Sequence, residues 1–484
     1  MNEASIEQLK QVVGAHHVIT DPELCSSYET DWTGRFHTRA AAVVRPGDSG
    51  AVAAVVSWCD AHSVPVVPQG GNTGLVGGSI PTEGGIVLSL RRLDSIGDVD
   101  DSSGQVTVGA GVTLGALQAR LTGSQWEFGV DLGSRDSATI GGLVATNAAG
   151  ARAGLLGSMR AQVAGLEAVL ADGKVVGQLG GLAKDNTGYD LSSLLVGSEG
   201  TLGVVTQARL RLVRVPAHRL ASLIGMPSME AAISLVQRLR ARFGGIEAAD
   251  FLLGAGLELV CEQLQLPNPF ATAPAVVLVV AFAGREEPAE DLLDELAELD
   301  ALAAVDATTR AAFWRYREGL GEAISRIGTP HKLDVCVPMS ELADMPQRIA
   351  ETVAHSEPAA VVHLFGHLAE GNLHINVTGL EPDDVRVDDE LLRLVASVGG
   401  SISAEHGVGR AKTVHVGLTR TPAEQAVYRA IKYALDPKAT LNPGVLIPVP
   451  QRGHSRTGTT VRRGIHEIGD DRQRKRNGGG ESRG

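Results

Sequence analysis

Glycine is unevenly distributed along this chain, and its distribution limits the possible folds more than any other sequence feature. Residues 70–203 contain 29 of the 59 glycines found in 484 residues. These glycines have no three-residue period and lie among aliphatic residues, which excludes collagen and a disordered linker. Glycine permits backbone conformations and close approaches that a side chain would block. The sequence therefore predicts a region in which the backbone adopts unusual conformations or lies very close to another group.

Three separate segments of this region lack large side chains. They are PQGGNTGLVGG from Pro68, DLGSRDSATIGGLVATNAAG at 131–150, and GSEGTLGVVT at 197–206. The first follows a short aliphatic strand, so its N–H groups and the Thr73 hydroxyl can converge on an anion. Taken alone, it is equally typical of a ligand-free tight turn. Three such segments together indicate a long, flat ligand against the backbone, such as a dinucleotide with a large ring, although no clean G-x-G-x-x-G or G-x-x-x-x-G-K-[ST] occurs.

The composition and the sequence pattern of the chain change after Pro216, where we place a domain boundary. Glycine then falls to an ordinary frequency, helical patterns cover 228–242 and 287–303, and an apolar strand lies at 275–283. The last 34 residues contain 8 Gly and three aliphatic residues, too few for a core. They predict a disordered, solvated basic tail, with contact to an anionic partner as the alternative.

Charge and cysteine content exclude several classes of protein. The formal net charge is −13 although the tail is basic, and such an acidic body argues against nucleic acid as the main partner. The four cysteines are far apart, which favours a reducing compartment over a disulfide framework. No apolar run approaches the ~20 residues of a membrane helix, and the N-terminal segment has no signal-peptide pattern. We therefore expect a cytoplasmic protein without a membrane span.

Two histidines in VVHLFGHLAEGNLHINV (361–377) are candidate metal ligands. Two apolar strands flank Glu370-Gly371, and a two-residue turn there predicts that His367 faces His374. Cross-strand partners lie ~5 Å apart, close enough to share one divalent metal. The alternative is that these histidines, like His363, are ordinary core residues.

The segment SAEHGVGR (403–410) supplies a third ligand and a base. Glu405 completes a set of two histidines and one carboxylate, which leaves His406 free as a general base. A solvated helix start is the alternative. Arg317, in the helical pattern WRYRE, and Lys332, at the start of KLDVCVP, can bind carboxylates, although most such residues are surface charges.

Seven motifs in one order reveal a resemblance to a known family. They are PQGGNTGLVGG, DLG…IGGLVATNAAG, KDNTGYDL, GSEGTLGVVT, GHLAEGNLHINV, SAEHGVG and LDPKATLNPG, from about Tyr28 to Pro448. Together they resemble the FAD-linked D-2-hydroxy-acid dehydrogenases of the vanillyl-alcohol-oxidase (PCMH-type FAD-binding) family, with the hydroxyglutarate enzymes nearest.

The resemblance implies an α+β fold. It implies a two-subdomain PCMH-type FAD-binding domain at 1–215 and a cap domain at 216–415 with an antiparallel sheet covered by helices. A segment at 416–449 would return to the FAD domain, and 450–484 would form the tail.

The resemblance also implies the cofactor site. The 68–75 turn would hold the FAD pyrophosphate, and Asn72 stands where covalent-flavin relatives have a histidine, so FAD would be non-covalent. The residues expected to line FAD are Pro68, Gln69, Gly70, Gly71, Asn72, Thr73, Gly74, Leu75, Gly78, Leu132, Gly133, Ser134, Thr139, Gly142, Asn147, Gly150, Glu199, Gly203, Val205 and Asn442.

The same resemblance assigns the reacting groups. His367, His374 and Glu405 match the metal ligands of the family, with zinc as the first candidate and manganese or iron(II) as alternatives. His406 matches the catalytic base. The groups expected to bind the substrate are Arg317, Lys332, Asn376, Glu405 and His406.

The implied reaction is oxidation of a D-2-hydroxy acid, with D-2-hydroxyglutarate in first place, by hydride transfer from C2 to flavin N5. The electron acceptor would be an electron-transfer protein or a quinone, and a homodimer is left open. Gly321 departs from the pattern, because the hydroxyglutarate enzymes carry a threonine there. D-Lactate, D-malate or glycolate therefore stay open as substrates. A metal-dependent hydrolase and a non-catalytic flavin-binding protein are the alternatives from other classes.

Overall fold

The structure, a computed structural model, describes residues 1–286, 290–381 and 384–447. The predicted tail, 450–484, lies outside these residues. The α-helices of the described residues are α1 (Glu3–Val13), α2 (Pro22–Glu29), α3 (Ser49–His62), α4 (Leu114–Leu121), α5 (Ile140–Thr146), α6 (Ala153–Leu156), α7 (Met159–Gln162), α8 (Leu191–Leu195), α9 (Met229–Phe243), α10 (Gly254–Leu264), α11 (Glu290–Ala297), α12 (Ala307–Glu318), α13 (Leu320–Ile327), α14 (Met345–Ser356), α15 (Arg386–Ser397) and α16 (Pro422–Leu435).

The first sheet is small and mostly parallel. Its strands are β1 (Val18–Ile19), β2 (Ala42–Val44), β3 (Val66–Gln69) and β4 (Ile86–Ser89), in the order β1-β2-β4-β3. The Asp48 side chain caps α3 by accepting the Ala51 N–H at 2.8 Å. One face of α3 is then completely buried, through Val52, Val55, Val56 and Cys59.

The second sheet is antiparallel and follows in the chain. Its strands are β5 (Gln105–Gly109), β6 (Trp126–Phe128), β7 (Val163–Val169), β8 (Val175–Gln178) and β9 (Val204–Arg214). The order is β5-β9-β7-β8, and β6 also pairs with β9. The first glycine-rich segment leaves β3 and the third enters β9, so both lie where strands of these two sheets end or begin.

The third sheet has seven antiparallel strands, as the resemblance implied for the cap. They are β10 (His218–Met226), β11 (Ile246–Leu253), β12 (Val276–Gly284), β13 (Ala301–Ala304), β14 (His331–Cys336), β15 (Val361–His367) and β16 (Asn372–Thr378), in the order β13-β10-β12-β11-β15-β16-β14. Helices α9, α14 and α15 cover one face, and α10, α12 and α13 cover the other. The fold class is α+β, which confirms the expectation.

The expected helix at 287–303 is wrong after Ala297, and its first three positions lie outside the described residues. The helix is α11, and Ala301–Ala304 forms the edge strand β13, paired with β10. Alanine and leucine favour a helix locally, but the open edge of β10 offers the backbone a complete ladder of hydrogen bonds.

The last described segment contacts the first two sheets. Lys432 donates to the Thr201 carbonyl at 2.7 Å, and Leu441 forms a parallel bridge with Val66. Asn442 donates to the carbonyls of Gly78 and Glu199. Within the described ranges, no helix is long and apolar enough to cross a membrane.

Candidate active site

A cavity of about 1070 Å³ lies between the glycine-rich segments and the third sheet. Its volume is at the upper end of the range for ligand pockets, as a dinucleotide requires. All three glycine-rich segments line it. From the cap side it is lined by Asp250, Trp314, Arg317, Glu318, His367, Glu405 and His406.

Residues of the first glycine-rich turn line this cavity, and Arg91 holds the turn. Arg91 donates from Nε to the Gly70 carbonyl and from Nη2 to the Gly71 carbonyl, both at 3.1 Å. Within the described ranges, no backbone N–H of residues 71–78 donates to another protein group. Unpaired N–H groups that converge on a cavity form a binding site for an anion.

The glycines of these segments permit backbone-to-backbone contact. A Cβ atom at Gly71 would lie 1.9 Å from the Ser137 carbonyl, and one at Gly150 would lie 2.1 Å from the Asp131 carbonyl. The Thr139 hydroxyl, also on this wall, is buried and has no hydrogen-bond partner in the described chain. A long cradle, free amides and an unpartnered hydroxyl fit the pyrophosphate and ring system of FAD.

Most residues expected to line FAD do line the cavity. They are Pro68, Gly70, Gly71, Asn72, Thr73, Gly74, Leu75, Gly78, Leu132, Gly133, Ser134, Thr139, Gly142, Gly150, Glu199, Gly203, Val205 and Asn442.

Gln69 and Asn147 are not among the residues that line the cavity. The Gln69 amide donates to the carbonyls of Tyr28 and Ser79, and so anchors the turn from behind. The Asn147 side chain accepts from Ser158 and from the Arg160 N–H, and ends α5 in a left-handed conformation. Both residues hold the segments that line the cavity, and their contact with FAD stays a prediction.

His367, His374 and Glu405 come together as the sequence predicted. One ligand atom from each lies within 4.8 Å of the others, a spacing that one metal ion can bridge. The predicted register is nevertheless wrong, because His367 pairs with Asn372, and His374 pairs with Phe365. Residues Leu368–Glu370 form a 3-10 turn, which moves two residues out of the ladder. A shift of two keeps both histidines on one face, since side chains alternate with a period of two.

A buried carboxylate, Asp250, supports His367 from behind. Its Oδ1 atom lies 2.7 Å from His367 Nδ1, and its Oδ2 atom lies 3.1 Å from Arg317 Nε. Burial alone would lower the pKa of His367. The negative charge and hydrogen bond of Asp250, and then the charge of Glu405, have the larger effect and raise this pKa to about 9. Burial also raises the pKa of Glu405 to about 7. The Nδ1 contact leaves His367 Nε2 facing Glu405, at 3.5 Å.

A second buried carboxylate, Asp334, organises the other half of the site. It accepts the N–H groups of Glu405 at 2.6 Å and His406 at 3.0 Å, and lies 3.6 Å from His374 Nδ1. Burial lowers the pKa of His406 although Asp334 opposes this shift, so the imidazole is neutral and can accept a proton. Glu405 and His406 lie in a loop, so the alternative of a solvated helix start is wrong.

Lys332 and Asn376 pair across β14 and β16, next to His374 but outside the cavity lining. Burial lowers the pKa of Lys332, and in the described chain no carboxylate lies within 4 Å of its ammonium. The ammonium lies 4.6 Å from the centre of the Trp32 ring. Lys332 is thus a cation that contacts an aromatic ring beside the site, and among the described residues no carboxylate forms an ion pair with it.

Sequence reasoning missed four residues of this region: Arg91, Asp250, Asp334 and Trp32. The two aspartates carried a signal, because each has apolar residues on both sides in the sequence, in AADFLL (248–253) and LDV (333–335), and is almost completely buried. A buried carboxylate needs partners, and these two find them in the histidines and their loop. Arg91 and Trp32 lie in surface-like sequence with no comparable pattern.

Solved structures with this fold define the class of the protein. The fold matches p-cresol methylhydroxylase with a TM-score of 0.72 and 16% identity over 92% of this chain and 96% of that one. It matches 4-ethylphenol oxidase from Gulosibacter chungangensis with a TM-score of 0.71 and 18% identity, over 93% of this chain and 97% of that one. The fold is therefore that of the PCMH-type flavoproteins.

Sequence comparison narrows this class. Residues 40–177 match the model of an FAD binding domain, and residues 215–446 match that of the FAD linked oxidases, C-terminal domain. The D-2-hydroxyglutarate dehydrogenase of Xanthomonas citri pv. viticola is 37% identical over 92% of this chain and 97% of its own. The mitochondrial D-2-hydroxyglutarate dehydrogenase of Danio rerio is 34% identical over 89% of this chain and 83% of its own. The chain belongs to the family of FAD-linked oxidases and is an FAD-dependent oxidoreductase, which confirms the resemblance.

Proposed function

We propose that this protein oxidises a D-2-hydroxy acid, D-2-hydroxyglutarate in first place, to the 2-oxo acid. The observation that carries the proposal is the cluster of His367, His374 and Glu405, with His406 beside it, at the wall of the FAD cavity. The names of the relatives support hydroxyglutarate as the substrate. A divalent metal in that cluster, zinc first and manganese or iron(II) next, and non-covalent FAD complete the proposal.

His367, His374 and Glu405 would hold the metal, which would supply a Lewis acid for the C2 hydroxyl, and the glycine-rich cavity would hold FAD, which would supply the acceptor of a hydride from C2. His406 accepts the hydroxyl proton. Asp334 near His406 Nδ1 favours a proton on that nitrogen, which leaves Nε2 as the acceptor.

Two cations near the cluster are the candidate partners of the substrate carboxylates. Arg317 has its Nε toward Asp250 and lines the cavity, so its Nη groups are the candidate donors to one carboxylate. The unneutralised ammonium of Lys332 is the candidate partner of the other, beside Asn376. Two cations suit a dicarboxylate better than a monocarboxylate.

A shorter hydroxy acid is the second candidate, and Gly321 favours it. This residue lies in α13, and a Cβ atom there would meet nothing within 4 Å. The position therefore has space but no hydroxyl donor, where the hydroxyglutarate enzymes carry a threonine. D-Lactate, D-malate and glycolate are the substrates to compare.

Anaerobic bleaching of the flavin by a panel of D-2-hydroxy acids tests the proposal. We expect D-2-hydroxyglutarate to reduce the flavin fastest and its L-enantiomer not to reduce it. A flavin that none of the acids bleaches would refute the proposed function, and faster bleaching by D-lactate would replace the substrate. Reoxidation by an electron-transfer protein or a quinone would then identify the acceptor.

A further inference from the structure

Glu199 was expected to line FAD, but its carboxylate is used by another part of the protein. It lies in the third glycine-rich segment and is 8% exposed. Its Oε1 atom accepts the Val408 N–H at 2.8 Å, and its Oε2 atom accepts the Gly409 N–H at 2.8 Å. These two N–H groups belong to the segment 403–410, here called the catalytic loop because it carries Glu405 and His406. Both oxygens of one side chain thus hold adjacent residues of this loop.

The catalytic loop is also held at its two ends. On the cap side, Asp334 accepts the N–H groups of Glu405 and His406. On the FAD side, the Arg410 guanidinium donates to the carbonyls of Ile80 and Pro81. Glu199 lies between these attachments, so it fixes the stretch that directly follows His406.

Close approach of the Gly407 backbone to the Glu199 side chain makes this contact specific. Glu199 has a φ of 51°, a left-handed conformation that glutamate rarely adopts. Gly407 has a φ of 80°, and a Cβ atom there would lie 2.9 Å from Glu199 Oε1. The Glu199 carbonyl accepts from Asn442 at 2.7 Å, which holds the unusual backbone in place. Such a conformation persists only where the surroundings determine it.

We propose that Glu199 is a positioning residue, which holds His406 and Glu405 in register with the FAD cavity. The inference rests on the proposed function, because it assumes that these two residues react. An amide in place of the carboxylate would keep one acceptor and turn an NH₂ group toward the other N–H. One of the two contacts would then become a repulsion between donors, and the loop would move by a fraction of an ångström.

The variant Glu199→Gln, studied as holoenzyme, tests the inference. Small displacements of reacting groups cost up to about 100-fold in rate. We expect the rate constant of anaerobic flavin reduction at saturating D-2-hydroxyglutarate to fall roughly 10- to 100-fold, with the half-saturating concentration and the FAD content nearly unchanged. This split between rate and affinity separates positioning from general destabilisation.

Glu167→Gln is the matched control. Glu167 is a half-buried carboxylate of the second sheet that accepts from Ser49, Thr206 and Gln207, far from the catalytic loop in the chain. Its variant should lose stability but reduce its flavin at the wild-type rate. Equal loss of rate in both variants, or no loss in Glu199→Gln, would overturn the inference.

Hydrogen exchange gives a readout that does not depend on the reaction. In the Glu199→Gln holoenzyme, the amides of Val408 and Gly409 should exchange at least 10-fold faster than in the wild type. Unchanged exchange would overturn the inference whether or not a hydroxy acid bleaches the flavin. If wild-type flavin is not bleached, the proposed function fails separately. If Glu199→Gln does not retain FAD, Glu199→Asp, whose shorter side chain reaches only one N–H, takes its place in both measurements.

Discussion

The Asp334 carboxylate lies 3.8 Å from the Nδ1 atom of His406 and accepts the backbone N–H of the same residue at 3.0 Å. One buried side chain thus sets both the position of His406 and the charge that its ring faces. Because Asp334 also faces His374, it connects the proposed base to a proposed metal ligand.

Replacement of Asp334 by asparagine should therefore weaken metal binding more than FAD binding. Loss of an outer-shell carboxylate typically costs 10- to 100-fold in metal affinity or activity. After dialysis, we expect Asp334→Asn to contain less metal per chain than the wild type, while the number of flavins per chain stays near one. Elemental analysis beside the visible spectrum measures both quantities, and a variant that keeps its metal and its activity would contradict this role.

His406→Ala should bind FAD and lose flavin reduction. A positioned general base contributes about 100- to 10,000-fold, so the rate of anaerobic bleaching should fall by at least ~100-fold. His363→Ala is the matched control, since that histidine lies on β15 and contacts Thr378 outside the cluster. Bleaching of His406→Ala at the wild-type rate would remove His406 as the base.

The hairpin shows what the residue pattern could and could not predict. Two apolar segments in 361–377 predicted two paired strands with His367 facing His374. The pairing of the strands is confirmed, and the two histidines lie on one face although they are not direct partners. The register was wrong because the 3-10 turn at Leu368–Glu370 has no marker that distinguishes it from a two-residue turn. The two histidines still lie on the same face of the sheet because the register error was an even number of residues.

Contacts between distant segments could not be predicted from the chain itself. Asp250 reaches His367 across 117 residues, and Glu199 reaches Gly409 across 210. Local patterns predicted strands and turns for these segments, but pairing depends on how the sheets pack. The family resemblance supported the choice of the candidate metal ligands and gave no information on the carboxylates that contact them.

Removal of the metal should abolish flavin reduction and leave FAD in place, because the ligands of the two groups are different residues. Treatment with a chelator, followed by gel filtration and metal analysis, gives the test sample. Addition of zinc or manganese should restore bleaching, and the metal that restores it best identifies the native one. Full activity in a sample shown to contain no metal would refute the cluster as a catalytic metal site.

Trp32 should act on substrate affinity through Lys332. A cation–π contact at an exposed site is worth about 0.5–1 kcal/mol, so Trp32→Ala should raise KM for D-2-hydroxyglutarate roughly two- to fivefold. In a Lys332→Ala background the same change should have no further effect, since the ammonium is gone. Additive effects in this double-mutant cycle would show that Trp32 acts independently of Lys332.

Gly321→Thr should shift the preference of the enzyme toward the five-carbon diacid. The position lies four residues after Arg317, at the start of α13, and a Cβ atom there meets no neighbour within 4 Å, so the site has space for a larger residue. A hydroxyl that reaches a carboxylate is worth about 1.5–3 kcal/mol, or roughly 10- to 100-fold in kcat/KM for D-2-hydroxyglutarate relative to D-lactate. Gly321→Ala is the control, since it adds the Cβ atom without the hydroxyl and should leave the ratio unchanged. If threonine changes kcat/KM equally for both acids, position 321 does not contact the distal carboxylate, and the glycine would carry no information about the substrate.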